Sequence, residues 1–358
     1  MPLPSASDYN AFIEKRAFCV AQFKNGSVGM KSGLRASEFS SFIKNASVAW
    51  IDVAAADFDR EAPIAAESMG FSKDLASRLL KKQISAYEDF NTEMGLLLPA
   101  VTVEGFKVKT NPLLILIKSN LVLTVHSAEV ARLTRLRRYA DTFMRKLPRR
   151  ALHKDKVTQV LIRVIDENNG RNFDHLREIE EKGDRLSERL TDIKTPRTVL
   201  GPEIHSMKHA LITYLSAMWA TLDVINAMRY GDPELLTDNP KILHRLGALA
   251  ADVNNNIGLA EHLSEVLASG LEVLQSIYNN QLQVLNNRLS LVVTYLTIIG
   301  TAVLVPNTIA TALSSPVFGL TTKDAWWYLL LLIVSTIIAT LFVYWWVKKK
   351  GWIPPAPE

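Results

Sequence analysis

Two long uncharged segments near the end of the chain constrain its fold more than any other feature of the sequence. Residues 289–322 contain no Asp, Glu, Lys or Arg, and a second uncharged run extends over residues 325–347. A membrane-spanning helix needs about 20 mostly apolar residues to cross the hydrocarbon core, and soluble core helices seldom contain so long an apolar run. The two runs, separated by Lys323 and Asp324, therefore predict a transmembrane hairpin.

The residues that flank this hairpin predict its orientation. Arg288 precedes the first run and a lysine-rich segment follows the second, whereas the connecting segment has one cation and one anion. Because cytoplasmic flanks of membrane helices are enriched in Lys and Arg, we expect both chain termini in the cytoplasm. Aromatic residues mark both ends of the second run, as is typical of the two bilayer interfaces: Trp326, Trp327, Tyr328, Tyr344, Trp345, Trp346 and Trp352. These patterns predict a two-span protein of the cell membrane.

The preceding part of the chain divides into an α/β region and a helical region. Strand-like segments at residues 48–53, 96–103, 113–117 and 121–125 surround a helical pattern at residues 73–82, which is typical of an α/β domain. From Ala128 onward, helical patterns follow at residues 128–147, 156–193 and 202–230. We expect an α+β membrane protein with an amino-terminal α/β domain and a helical hairpin.

A single long helix is expected to lead from this region into the first span. Apolar residues recur every three or four positions through residues 240–288, and no proline follows before Pro306. Such a helix would be on the order of 100 Å long and needs neighbours along its apolar stripe, which copies around an axis would supply. The predicted organisation is residues 1–127 α/β domain, 128–239 helical region, 240–288 cytosolic part of the long helix, 289–315 first span, 316–324 external loop, 325–347 second span and 348–358 basic tail.

The first predicted span has a polar face and the second does not. On a helix, small and polar residues of the first span fall on one stripe at steps of three and four, which predicts that it lines an axis: Ser290, Val293, Thr297, Gly300, Leu304, Asn307, Thr311 and Ser314.

Asn307 is the most informative member of this stripe. An unpaired amide in hydrocarbon costs several kcal/mol, so Asn307 should face a neighbouring helix or water. Two interpretations remain open: a ring of amides that contacts a hydrated cation in its outer shell, or a hydrogen bond that joins two helices. Pro306 is expected to kink the helix and to free a backbone carbonyl one turn earlier, which suits either interpretation.

Several other functional classes lack support in the sequence. No His or Cys pair has the spacing of a metal site, and no glycine-rich phosphate loop, nucleophile elbow or carboxylate pair indicates an enzyme. Ten Lys or Arg residues lie between Arg132 and Lys156, but only Tyr139 and Phe143 among them could stack on bases. A solvated helical face is therefore favoured there, and no nucleic-acid partner is predicted.

The whole arrangement resembles the CorA superfamily of divalent-cation channels. The resemblance is carried by the domain order, by Pro306 in the first span and by four short strings: residues 50–53 (WIDV), 123–126 (LTVH), 296–299 (LTII) and 348–352 (KKKGW). It implies a homopentamer with a cytosolic funnel, in which first spans line the pore and second spans form an outer ring.

The resemblance also implies roles for individual residues. Val293 and Leu296 would form a hydrophobic gate, and Lys348, Lys349 and Lys350 a basic ring at the inner mouth. The family's divalent cations, such as Mg2+, are transported and also regulate gating from sites between cytosolic domains, whose positions in this sequence are unknown. No covalent cofactor is implied, and the partners are further copies of the chain, the lipid bilayer and the ion.

The sequence departs from the family at the outer end of the first span. The family's Gly-Met-Asn or Gly-Ile-Asn signature corresponds to residues 315–317 counted from Pro306, or to residues 314–316 counted from Leu296, and neither segment contains Asn. Three hypotheses follow: a channel for divalent cations, most directly Mg2+; a pore of the same fold that passes another metal, anions or ions without selection; and a non-conducting membrane-anchored scaffold or sensor.

Overall fold

A seven-stranded mixed sheet forms the centre of the amino-terminal part of the chain. The computed structural model describes residues 14–82, 85–191, 197–315 and 324–350. The strands are β1 (Ala17–Phe23), β2 (Val28–Gly33), β3 (Ala46–Ala55), β4 (Ala86–Asp89), β5 (Met94–Glu104), β6 (Lys107–Lys118) and β7 (Leu121–Ser127). Their order is β2-β1-β3-β7-β6-β5-β4, and all neighbours are antiparallel except the parallel pair β3 and β7.

Helices cover both faces of this sheet. They are α1 (Ser40–Ile43), α2 (Phe58–Ser68), α3 (Lys73–Leu80), α4 (Ala131–Lys146), α5 (His153–Asn169), α6 (Asn172–Thr191), α7 (Arg197–Tyr230), α8 (Pro240–Leu313) and α9 (Ala325–Lys349). One core contains side chains of α2 and α3, and the other contains side chains of α4 to α7 together with the beginning of α8. Successive residues of β3 enter opposite cores, because side chains alternate between the faces of a strand.

The structure confirms the α/β character of the first region and corrects its details. The four predicted strands are present as β3, β5, β6 and β7, but β1, β2, β4 and α2 were not predicted. The sequence of α2 contains Pro63, and β2 is an edge strand with mostly half-buried side chains, so neither has a strong pattern. The single helix predicted at residues 156–193 is wrong: α5 and α6 are separate helices that meet at Gly170 and Arg171.

The predicted solvated face of the basic segment also needs correction. Arg132, Arg137 and Lys156 are buried. Arg132 donates to the Val101 and Asn168 carbonyls, and the Lys156 ammonium donates to the Ser47 hydroxyl at 2.7 Å. Because these cations are satisfied inside the domain, much of the positive charge of this segment has a structural role.

Two sequence strings of the family resemblance meet in the sheet. The parallel register places Asp52 of β3 opposite Thr124 of β7. Both side chains are fully buried, and the Thr124 hydroxyl donates to the Asp52 carboxylate while accepting from the Trp50 indole at 3.1 Å. The guanidinium Nε of Arg137 donates to Asp52 Oδ2 at 2.6 Å, and His126 Nε2 lies 3.3 Å from the carboxylate. Asp52 therefore joins β3, β7 and α4 through one buried charged network.

Burial alone raises the pKa of Asp52, but the charges of Arg137 and His126, with hydrogen bonds from His126 and Thr124, outweigh it and hold this pKa well below its usual range. Since the folded pKa is depressed, the carboxylate stabilises the fold fully above its unfolded pKa of about 3.9, and this stabilisation is lost as the pH falls further.

Replacement of Asp52 by Asn should lower the free energy of unfolding by about 3–5 kcal/mol, because it leaves the buried Arg137 cation without its counterion. Urea titration of the full-length protein in detergent, followed by circular dichroism, measures this loss. Asp252→Asn is the matched control, because Asp252 is exposed. The difference between wild type and Asp52→Asn should be constant above about pH 4 and shrink below it; equal stability at pH 7 would contradict the role of the network.

Three described helices are long and apolar enough to cross a membrane: residues Val199–Tyr230 of α7, α8 and α9. Half of the most apolar window of α7 is buried, and its residues Leu211, Tyr214 and Met218 lie in the domain core. The most apolar windows of α8 and α9 have almost no buried residues. The apolar side chains of α7 are therefore buried in the domain core. Those in the most apolar parts of α8 and α9 are not buried against other described residues.

The chain separates into two compact units, residues 1–270 and 271–358. Within the first unit, the predicted apolar stripe of the long helix enters the core through Leu246, Leu249, Val253, Ile257 and Ala260. The second unit contains the end of α8 and the whole of α9. Residues 316–323 of the predicted external loop (316–324) and residues 351–358 of the predicted basic tail (348–358) lie outside the described residues.

Candidate functional site

Within the second unit, α8 and α9 each have one half-buried side. On α9 this side consists of small, hydroxylated or medium-sized residues: Leu332, Ser335, Thr336, Ala339, Thr340, Val343 and the buried Val347. On α8 it consists of Leu291, Thr294, Ile298, Thr301, Ala302, Val305, Pro306, Ile309 and Ala310. Steps of three and four on both helices, and a cleft lined by both, indicate that the two helices pack side by side through small residues.

The outer side of α9 is aliphatic and aromatic. Its exposed side chains are large and apolar, namely Trp326, Leu329, Leu330, Ile333, Val334, Ile337, Ile338, Leu341, Phe342 and Trp345. The three hydroxyl residues in the middle of α9 lie on the half-buried side, and each donates to a carbonyl of its own helix. This distribution is typical of a helix with one side toward protein and the other toward lipid.

The predicted polar stripe of α8 lies opposite its half-buried side. Gly300, Asn307 and Thr311 each follow a half-buried residue by two positions, which is about 200° around a helix. All eight predicted stripe residues are exposed, and so is the predicted gate residue Leu296. Pro306 belongs to the half-buried side, and α8 continues through it from Pro240 to Leu313.

Three of the four hydroxyl groups on the stripe donate a hydrogen bond to a carbonyl of their own helix. Thr297 donates to the Val293 carbonyl, Thr311 to the Asn307 carbonyl and Ser314 to the Thr311 carbonyl, all at 2.8–2.9 Å. A hydroxyl that already donates its proton still has oxygen lone pairs, so it can only accept further hydrogen bonds. These residues therefore present a surface of oxygen acceptors, which suits a hydrated cation better than an anion.

Asn307 differs from these hydroxyl residues because its side chain makes no hydrogen bond within the part of the chain that the structure describes. Its carbonyl oxygen can accept from a hydrated cation, and its amide nitrogen can donate to a neighbour. The structure places it in the middle of the exposed stripe, away from α9. Whether it faces a pore or a second helix depends on other copies of the chain, so both interpretations remain predictions.

The stripe continues before the predicted span, beyond the eight residues that were predicted to form it. The heptad series of Val293, Gly300, Asn307 and Ser314 extends backward to Asn286 and Asn279, and Gln283 precedes Ser290 by the same interval. Asn279, Gln283 and Asn286 are exposed, and no side-chain hydrogen bond of theirs occurs among the described residues. The seven-residue spacing was the signal that could have identified this amide-rich extension.

The ends of the helix pair are strongly asymmetric in charge. Between Glu272 and Glu358 the only acidic residue is Asp324, whereas four cations lie at the other end, namely Arg288, Lys348, Lys349 and Lys350. The three lysines are exposed, and the Lys349 ammonium lies 4.9 Å from the ring centre of Trp345. Among the described residues, no group of three or more His, Cys, Asp or Glu side chains could hold a metal ion. Side-chain contacts with a cation along residues 273–313 of α8 would therefore use neutral oxygen atoms.

A model of the family described as CorA-like Mg2+ transporter protein matches residues 45–349. The chain belongs to this family. Its members transport divalent cations such as Mg2+, which makes this chain a member of a membrane transporter family rather than of an enzyme family. The sequence matches no curated protein.

Solved structures show the same fold at low sequence identity. The CorA magnesium transporter from Methanocaldococcus jannaschii is 18% identical, with 94% of this chain and 98% of that chain covered at a TM-score of 0.66. The full-length CmaX protein is 14% identical over 94% and 98% of the two chains, with a TM-score of 0.61. The ZntB cytoplasmic domain from Vibrio parahaemolyticus RIMD 2210633 is 14% identical over 65% and 88%, with a TM-score of 0.51. The predicted α/β domain, long helix and carboxy-terminal apolar helices are thus confirmed as a CorA-like fold.

The packing of α8 on α9 can be tested by enlarging one small residue. Ala339→Phe should destabilise the protein by about 1–3 kcal/mol, because a large ring does not fit on the half-buried side of α9. The thermal midpoint in detergent should therefore fall. Ile338→Phe is the matched control, because Ile338 is 61% exposed on the outer side. An equal effect of both substitutions would contradict the assignment of the two sides.

Proposed function

We propose that the protein is a homo-oligomeric channel, built as a pentamer, that passes hydrated divalent cations, most directly Mg2+, down their electrochemical gradient. α8 would line the pore and α9 would face the lipid, with two spans and both termini in the cytoplasm. The observation that carries this proposal is the polar stripe on the side of α8 opposite α9. When copies surround an axis with α9 outside, this side faces the axis.

The chemistry of the stripe favours a cation that keeps its water. Mg2+ loses water reluctantly, and the stripe has no carboxylate that could replace a water ligand. Acceptor oxygens from Thr297, Asn307, Thr311 and Ser314 could instead bind the hydrogen atoms of coordinated water. Asn279, Gln283 and Asn286 would extend this neutral polar lining toward the cytoplasm. Weak outer-shell contacts at several levels also permit rapid release, which conduction requires.

A pore of the same fold with a different ion remains the second candidate. It is favoured by the absence of acidic residues from both predicted spans and by the lysines Lys348, Lys349 and Lys350 at one end of the helix pair. An anion would need donors along the stripe, and within the predicted span Asn307 is the only stripe side chain with an N–H group. We therefore rank the cation first. A non-conducting scaffold is supported only by the missing Gly-Met-Asn signature, and no residue arrangement favours catalysis.

Substitution of Asn307 by Leu should reduce Mg2+ flux into liposomes that contain the purified protein. Loss of hydrogen bonds to a charged, hydrated ion corresponds to roughly tenfold or more in rate. Uptake of Mg2+, Zn2+, Ni2+ and Cl− is measured in parallel, with Thr308→Val as the matched control one position away. Unchanged Mg2+ flux would remove Asn307 from the conduction path, chloride flux alone would favour the anion pore, and absence of all flux would favour the scaffold.

Substitution of Leu296 by Ser should increase the resting leak of the same liposomes. We propose that Val293 and Leu296 close the pore by excluding water, and a hydroxyl at this level would allow water to enter. Ile338→Ser is the control, because Ile338 is exposed on the outer side of α9, away from the stripe. A leak that stays at the wild-type level in Leu296→Ser would contradict the gate.

A further inference from the structure

A cleft opens between α8 and α9 close to the lysine-rich end of α9. It is lined on one side by Ser290, Val293, Thr294, Thr297 and Thr301, and on the other by Val343, Trp346 and Val347. Thr294 and Thr301 belong to the half-buried side of α8, while Ser290, Val293 and Thr297 are members of the polar stripe. The cleft therefore lies between the two helices and shares these three residues with the first part of the stripe.

The interior of this cleft is less polar than its residue names suggest. Thr294 donates to the Ser290 carbonyl, Thr297 to the Val293 carbonyl and Thr301 to the Thr297 carbonyl, all at 2.8–2.9 Å. Because these hydroxyl protons are donated to the backbone, each threonine offers the cleft its methyl group and an oxygen that can only accept. Val343 and Val347 complete the apolar wall from α9. Such a surface suits a hydrocarbon chain.

The mouth of the cleft is cationic. On α9, Lys348 directly follows Val347, and Lys350 lies three residues after it on nearly the same side of the helix. Arg288, two residues before Ser290, lies about 200° around α8 from it and faces away from the cleft. No acidic residue occurs near these cations in the sequence. Trp345 and Trp346 lie at this level, where indole rings are typical of the bilayer interface. Polarity therefore changes along the cleft from apolar at Thr301 to cationic at Lys348.

We propose that this cleft binds one anionic phospholipid of the cytoplasmic leaflet. One acyl chain lies between Thr301 and Val343, and the phosphate group lies beside Lys348 and Lys350. The inference rests on the proposed function only for the orientation of the helix pair in the membrane. The unbalanced positive charge favours an anionic lipid over a second copy of this chain as the occupant of the cleft. A second copy would bring further cations to the same place, whereas an anionic lipid neutralises them.

Native mass spectrometry of the full-length protein in detergent tests this proposal with phosphatidylglycerol and phosphatidylcholine of identical acyl chains. We expect phosphatidylglycerol to be retained about tenfold more strongly, since each lysine near an anionic surface contributes favourably. Thr301→Phe fills the interior and should abolish retention, whereas Ile299→Phe, on an exposed position outside the cleft, should not.

The headgroup contact is tested independently of cleft shape. Lys348→Gln combined with Lys350→Gln should remove the preference for phosphatidylglycerol, whereas Lys241→Gln in the amino-terminal unit should leave it intact. Equal retention of the two lipids by wild type, or undiminished retention by Thr301→Phe, overturns the proposal. The proposal is also overturned if Thr301→Phe lowers the number of chains in the assembly while lipid is still retained, because the cleft would then be a contact between chains. Lipid retention is measured without flux, so its failure and a failure of the proposed channel are separate results.

Discussion

The hydrocarbon core offers no hydrogen-bonding partner to a protein backbone, and this constraint determines the structure of the carboxy-terminal unit. Helices α8 and α9 meet it by pairing their backbone groups internally. The same constraint explains why the hydroxyl groups of both helices donate to carbonyls of their own turn. Asn307 cannot satisfy its amide in this way. Its side chain therefore requires a partner from outside its own helix.

The two unequal sides of α9 determine on which side of α8 the partner of Asn307 can lie. Small residues such as Ser335 and Ala339 allow α8 to approach, while the large side chains of the opposite side exclude it. With one side of α8 against α9, its polar stripe is left exposed on the other side. A polar surface in this position is stable only next to water or to polar groups of another copy. The proposed pore and the proposed lipid cleft thus both depend on which side of α8 packs against α9.

In the amino-terminal unit, opposite charges are paired inside the protein core. There, Asp52 and Arg137 are fully buried, and the carboxylate is surrounded by donors from Thr124, Arg137 and His126. Such a network tolerates little displacement, because the loss of one partner leaves a buried charge unpaired. Two short strings far apart in the sequence, residues 50–53 and 123–126, meet in this network because β3 and β7 are paired in parallel register.

The sequence by itself determined the apolar helix pair, the long helix, the family resemblance and the strands whose apolar runs are buried on both faces, such as β5 and β7. It did not reveal β1, β2 or α2, because an edge strand and a helix that contains Pro63 have weak patterns, nor the break between α5 and α6 at Gly170. Only the tertiary structure decided that Arg132, Arg137 and Lys156 are buried, and that the stripe of α8 lies opposite α9. Periodicity specifies which residues share a face, whereas the partner of that face depends on packing between segments distant in sequence.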